Sequence, residues 1–539
     1  MTDLAADRQL DHDVIIVGAG FAGLYMLHRL RSAGFSARVL DAADGVGGTW
    51  YWNRYPGARC DVQSFDYSYS FSDELQQDWT WSERYATQPE ILRYIEHVAE
   101  RFDLNRDVQL GATVLGATFD DAHSRWTIEL EGGQHLVSTY VVMATGCLSV
   151  PKRPSFAGLS DFKGETYISG EWPHHPVQLS GKRVGIIGTG STGIQLTTAI
   201  AREAGELLLF HRTPNFSLPA QNRPLDEEFT RELKSQYDQR RQEARTTTRG
   251  YPVPPILSDL SALEVEHEQR LEVYEAVWRN GGPVFTSSFA DLLTNPEANA
   301  TASEFVRGKI SSIVQDPATV EALTRFDHPL GTRRPCVDTG YYETFNQPNV
   351  ALVDVHDDPI VEITADGIRT ASGSYDLDVI VFALGFDAMT GALLRMGITG
   401  QDGTTLPERW SDGPSAYLGV AMSGFPNLFT VTGPGSPSVL TNMVMAIEQH
   451  VDWITGILEF ARDQGTDRVE ADADTEKLWT QHVVAIADET LFPRANSWWT
   501  GANIPGKPRV FMPYVGGLGQ FQQVLDDVRT HGYEGFSFS

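Results

Sequence analysis

With 539 residues, 41% of them hydrophobic and 21% charged, the chain has the make-up of a soluble globular protein of two or three domains. Its formal net charge of −29 argues against nucleic acid or an anionic membrane surface as partner, so any anionic cofactor must rest on local backbone dipoles and a few placed cations. Cys60, Cys147 and Cys336 stand far apart and in no CxxC pair, which excludes a disulfide framework, a dithiol redox motif and a zinc cluster, and no metal is expected.

Taken in chain order, Met1 to Asp7 has neither the basic start nor the apolar core of a signal peptide. No later apolar run is long enough to span a bilayer, so a cytoplasmic protein without membrane contact is expected. Asp13 to Val17 predicts a short buried strand, Gly18-x-Gly20-x-x-Gly23 a turn, and the spacing of Ala22, Met26, Leu27 and Leu30 a helix. Ala37 to Leu40 predicts the next strand, which ends in Asp41. The unit recurs: Arg183 to Ile187, then Gly188-x-Gly190-x-x-Gly193, a helix over Thr192 to Arg202, and a strand over Leu207 to Phe210. Residues 222–330 differ in kind, with helical stretches over Asp226 to Arg245 and Ala262 to Arg279, and Asp316-Pro317 as an N-cap followed by proline. Tyr140 to Gly146 and Asp378 to Gly385 are apolar strands ending in glycine, suited to carrying the chain between two units.

Each glycine has a distinct task in such a loop. The first permits the tight turn, the second lets the backbone approach a pyrophosphate, and the third allows helix and strand to pack closely. The helix N-terminus supplies partial positive charge. Asp41, 23 residues after Gly18, can accept from the ribose hydroxyls of an unphosphorylated adenosine. At the corresponding place in the second unit stand Phe210, His211, Arg212 and Thr213, and an arginine with a hydroxyl suits a 2′-phosphate. The first loop is therefore expected to bind FAD and the second NADPH. The fold expected is α/β, with two Rossmann-like dinucleotide-binding domains and a helical insertion in the NADP domain. Residues 1–147 and 386–539 are assigned to the FAD domain, 148–221 and 331–385 to the NADP domain, and 222–330 to the insertion. Reductases, oxidases and monooxygenases all share this plan; disulfide reductases drop out for want of a cysteine pair. No HExxH or GxSxG supports a hydrolase.

Gly47-Gly48-Thr49-Trp50, continuing through Tyr55-Pro56-Gly57 to Asp61, resembles the long FAD-domain fingerprint of type I Baeyer–Villiger monooxygenases, with every defined position filled. Phe162-x-Gly164 and Trp172-Pro173 are similar to the family's second fingerprint, but Ile168 stands where that pattern has histidine. His174 and His175 follow just beyond. Gly433 to Met443 resembles the pocket loop of the phenylacetone and steroid monooxygenase branch.

The resemblance implies oxidation of a hydrophobic ketone (aryl, cyclic or steroid-like) by NADPH and O₂ to an ester or lactone through a flavin C4a-peroxide, with sulfide oxidation as a side activity. It implies Arg334 as the catalytic cation and Asp61 as the carboxylate that orients it. Gly48, Trp50, Tyr55 and Asp61 would serve the FAD site beside Gly18, Gly20, Gly23 and Asp41. Thr189, Ser191, Gln195, Arg212, Thr213, Arg333 and Trp498 would serve the NADP site beside Gly188, Gly190 and Gly193. Val62, Cys147, Leu148, Leu440 and Met443 would line the ketone pocket. Two rivals remain: an N- or S-oxygenating flavin monooxygenase, which has less need of an Asp61–Arg334 pair, and a nucleotide-binding regulatory protein without turnover. The partners expected are the ketone and O₂. Oligomeric state is not legible, and a monomer is compatible with the sequence.

Overall fold

A computed structural model describes residues 10–254, 256 and 258–539; the amino-terminal residues that carry the leader expectation lie outside them. Two Rossmann-like α/β units share the chain. In the first, His12–Val17 lies between Ala37–Leu40 and His135–Met143, parallel to both. Val14, Ile15 and Ile16 are wholly buried, as expected of a parallel strand covered on both faces. Val108–Gln109 extends the sheet beyond Ala37–Leu40. On the other side Arg125–Leu130 and Val114–Asp120 continue it as an antiparallel meander. Gly397–Thr399 and Leu428–Thr430 return from much later in the chain to pair with Val114–Asp120 and His135–Met143. The helix Phe21–Ser32 packs against the long helix Met443–Gln464.

The second sheet is parallel throughout, in the order Val350–Asp354, Glu206–His211, Arg183–Ile187, Val379–Phe382 and Glu165–Ile168. The two segments that cross between the units bond to each other: Lys152 N–H donates to the Gly385 carbonyl and Asp387 N–H to that of Val150, both at 2.9 Å. The crossings thus run side by side as a short antiparallel pair.

The region 222–330 is helical, with two departures from the periodicity reading. The stretch 226–245 is two helices, Glu227–Ser235 and Tyr237–Thr246. Gln236 breaks them by bonding back three residues to the Leu233 carbonyl at φ −109°. The next helix starts at His267, not Ala262. Asp316 does cap Pro317–Thr324, accepting from Thr319 N–H at 2.8 Å. Tertiary contacts anchor the second of the split helices. Arg240 forks onto Asp66 with two bonds of 2.6 Å, and buried Arg241 reaches Gln76 and Ser68. The insertion is thereby tied to the loop that follows Asp61. Among the described residues no helix is long and apolar enough to cross a membrane.

Candidate active site

The two glycine loops fold alike for the same steric reason. A Cβ at Gly23 would fall 1.8 Å from the Gly18 carbonyl oxygen, and one at Gly193 would fall 2.0 Å from that of Gly188. Only glycine lets helix and loop meet there. At Gly190 a Cβ would meet nothing within 4 Å, so the approach to that loop is open. Neither helix that follows, Phe21–Ser32 or Ser191–Ile200, has a side chain capping its N-terminus. Both leave unpaired N–H groups at the positive end of the helix dipole. Each loop opens on one cavity of about 1810 Å³, so the residues present fit two dinucleotides.

Asp41 sits at its expected place but is not idle. Its two oxygens accept from Ala19 N–H at 2.6 Å and Ala43 N–H at 2.8 Å, which stitches the first loop to the end of the second strand. Carboxylate oxygens accept more than once, and Asp41 lines the cavity. Arg212 is exposed on the same cavity. Close by, Lys152 donates to the Asn503 carbonyl, its pKa lowered by burial and then by the Arg212 charge. Thr213 accepts at its carbonyl from Thr189 Oγ1 at 2.7 Å. Ser191 Oγ meets Cys336 Sγ at 3.3 Å.

The fingerprint loop joins the two units. Gly48, at φ +54°, touches Gly20, where its Cβ would lie 2.9 Å from the Gly20 Cα. Trp50 donates to the Tyr67 hydroxyl at 3.2 Å. Tyr55 donates to Gln195 Oε1 at 2.9 Å, and Gln195 Nε2 donates to the Arg59 carbonyl at 3.0 Å. Burial pushes Tyr55 up to about 12, so it stays a donor. Gln195, expected to serve a cofactor, lines the cavity and also bridges the units from its wall.

At the centre, Arg334 forks onto Asp61, with Nε to Oδ2 at 2.7 Å and Nη2 to Oδ1 at 2.8 Å. Nη1 donates to the Val439 carbonyl at 2.7 Å. Burial opposes the charge, but Asp61 outweighs it and holds the guanidinium above its ordinary pKa. Three of the five N–H groups are used, which leaves two for the cavity that Arg334 lines. Its neighbour Arg333 also lines the cavity, paired with Asp327 at 3.2 Å and donating to the Asn496 carbonyl at 3.1 Å.

Val62, Cys147, Leu148, Met443 and Trp498 border the same space. Leu440 does not. It packs in the apolar cluster with Cys147, Leu148, Met443 and Trp498. The 3₁₀ turn Ser438–Leu440 presents Val439 in its stead. Burial pushes the Cys147 thiol up to about 11, so it stays protonated. The segment carrying Trp498 is fastened to the second crossing: Asn503 donates to the Phe386 carbonyl, and Lys507 pairs with Asp387 at 2.7 Å. Ile168 is off the cavity, packed with Phe156 and Phe162 beside Ile187 and Phe382. His174 lies edge-on to Tyr51 at 4.9 Å. Sequence reasoning missed Lys152, Asp327 and the Val439 carbonyl. Lys152, in the first crossing, was the one open to discovery, as a cation near a predicted nucleotide loop.

Residues 15–251 match the family described as pyridine nucleotide-disulphide oxidoreductase. The chain is 39% identical over 533 residues to the cyclohexanone 1,2-monooxygenase of Acinetobacter sp, covering 98% of this chain and 97% of that one. It is 41% identical over 528 residues to the phenazine N-monooxygenase of Lysobacter antibioticus, covering 97% and 96%. A solved structure, an oxidized steroid monooxygenase bound to NADP, superposes with a TM-score of 0.94 at 48% identity, covering 98% of this chain and 99% of that one.

Proposed function

The chain belongs to the Baeyer–Villiger monooxygenase family, and on that premise we propose which of its residues carry the reaction. It is an FAD-containing enzyme that uses NADPH and O₂ to convert a ketone into an ester or lactone. Held at the loop of Gly18, Gly20 and Gly23 with Asp41, FAD would supply the redox chemistry when bound, accepting reducing equivalents from NADPH and passing them to O₂. The observation that carries the residue assignment is the Arg334–Asp61 fork in the cavity onto which both glycine loops open.

Arg334 supplies a fixed positive charge, because a guanidinium stays protonated at any working pH. Its two remaining N–H groups stabilise negative charge gathering on oxygen during the insertion. Asp61 orients the fork and offsets its charge beforehand. The Val439 carbonyl fixes the third edge, so the donors are aligned before substrate arrives. Arg212, Arg333 and Thr213 hold the 2′-phosphate of NADPH, and Lys152 adds a nearby cation. Trp498, on the segment fastened by Asn503 and Lys507, covers the nucleotide and excludes water, which strengthens every polar contact inside. Val62, Cys147, Leu148 and Met443 favour a hydrophobic ketone, aryl or bulky and cyclic.

The phenazine N-monooxygenase among its relatives raises N-oxygenation as a second reading. Oxygen transfer to an electron-rich nitrogen has no comparable need for a cation beside an anionic oxygen, and the Arg334–Asp61 fork favours the ketone. Incubation with phenylacetone, NADPH and ¹⁸O₂ separates the readings. Benzyl acetate carrying one labelled oxygen is the expected product. NADPH consumption matched by hydrogen peroxide, with no ester, would overturn the assignment of this cavity to ketone oxidation.

A further inference from the structure

A second cavity, of about 800 Å³, shares Val62 with the first. Arg84, Arg223, Arg240 and Arg279 face it against two carboxylates, Asp66 and Glu243. Asp66 is taken up by Arg240, and Glu243 is exposed. The other arginines meet only weaker partners among the described residues. Arg84 donates to the Asn280 carbonyl at 2.7 Å, and Arg279 to the Glu275 carbonyl of its own helix at 3.2 Å. Arg223 lies over the Phe229 ring at 5.8 Å.

Arg84 is only 7% exposed. Burial lowers its pKa, and the like charges of Arg223 and Arg240 add to that effect. A buried cation without a counter-ion is costly, and a chain of net charge −29 has many carboxylates that could have supplied one. An oxyanion in the cavity would satisfy the arginines together.

We propose that this cavity is an anion subsite for the substrate, holding a carboxylate or phosphate remote from the ketone. The apolar part of the molecule runs past Val62 and Tyr251 towards Arg334. Tyr251 lines the second cavity and lies close enough to Arg334 and Asp61 to feel both charges. The inference rests on the ketone-oxidising role of the first cavity and adds a substrate class to it, the anionic ketones.

The test compares para-acetonylbenzoate and para-acetonylphenyl phosphate with the methyl ester of the benzoate. Both anions are expected to show KM values at least about tenfold below that of the ester, the worth of one charged hydrogen bond, and the gap should shrink at high salt. An Arg223→Gln/Arg279→Gln double variant, altered only at exposed positions, should raise KM for the anions about tenfold and leave the ester unchanged. Arg84→Gln should act alike. Preference for only one anion would identify which oxyanion the site takes. Equal KM for acid and ester, or variants that raise both alike, would overturn the subsite while ester turnover continued. Loss of turnover on all three compounds, with NADPH still bleaching the flavin, would instead defeat the ketone reading and this proposal with it.

Discussion

Replacing Arg334 by alanine removes the two cavity-facing N–H groups and strands Asp61, whose oxygens lie 2.7 and 2.8 Å from the guanidinium. Loss of one donor at a site of developing negative charge typically lowers turnover ~10²–10³-fold, and that is the expected fall in ester formation. The hydride step should survive, because no contact of Arg334 reaches the helix Ser191–Ile200 or Arg212. Arg334→Lys keeps a charge but cannot reproduce the fork to both Asp61 oxygens and the Val439 carbonyl, so it should recover little. The pair is partly exposed, with side chains 30% and 21% accessible. Its direct worth to stability is therefore only about 1–3 kcal/mol, too little to explain the activity loss by unfolding. Stopped-flow absorbance would follow anaerobic reduction by NADPH, and gas chromatography the ester from phenylacetone. Ester yield within tenfold of the parent enzyme would refute the role given to Arg334.

Further outcomes follow from other contacts. Gly193→Ala should destabilise the protein by about 1–3 kcal/mol, because its Cβ meets the Gly188 carbonyl oxygen at 2.0 Å. Gly190→Ala should leave the melting temperature unmoved and raise KM for NADPH about tenfold, and identical behaviour of the pair would contradict the loop argument. Arg212→Ala should raise KM for NADPH by about tenfold or more with little change for NADH; equal shifts would remove Arg212 from 2′-phosphate recognition. His450 is wholly buried, and burial lowers its pKa from 6.5 to about 3. The unfolded chain therefore binds the proton first, and His450 contributes stability above pH 6.5 that drains away as pH falls towards 3. Asparagine can still accept from Thr432 N–H, as Nδ1 does at 3.2 Å. His450→Asn should thus flatten the fall of melting temperature between pH 6.5 and about 4, and parallel curves would count against it.

What the sequence determined by itself is local and repeated. Glycine spacing, strand apolarity and the acid or arginine closing each unit lie within about thirty residues, so backbone sterics and helix dipoles fix both loops without help from distant chain. The resemblance then placed Arg334 and Asp61, though residue spacing alone gave no reason to pair groups 273 positions apart. Tertiary packing decided the rest. It split the helix at Gln236, because the second half docks Arg240 and Arg241 onto the loop after Asp61. It lined the cavity with Val439 rather than Leu440, within one 3₁₀ turn. It gave Gln195 to the bridge between units, and set half-buried Ile168 against an apolar cluster that offers a polar ring no partner. The second cavity is the fullest case. Its arginines come from separate stretches near 84, 223, 240 and 279, each ordinary in its own segment. Only Arg240 among them finds a carboxylate, Asp66, and the excess of positive charge around buried Arg84 arises only where folding sets like charges side by side, since an electrostatic debt of that kind belongs to neighbours in space and leaves no periodicity in the chain.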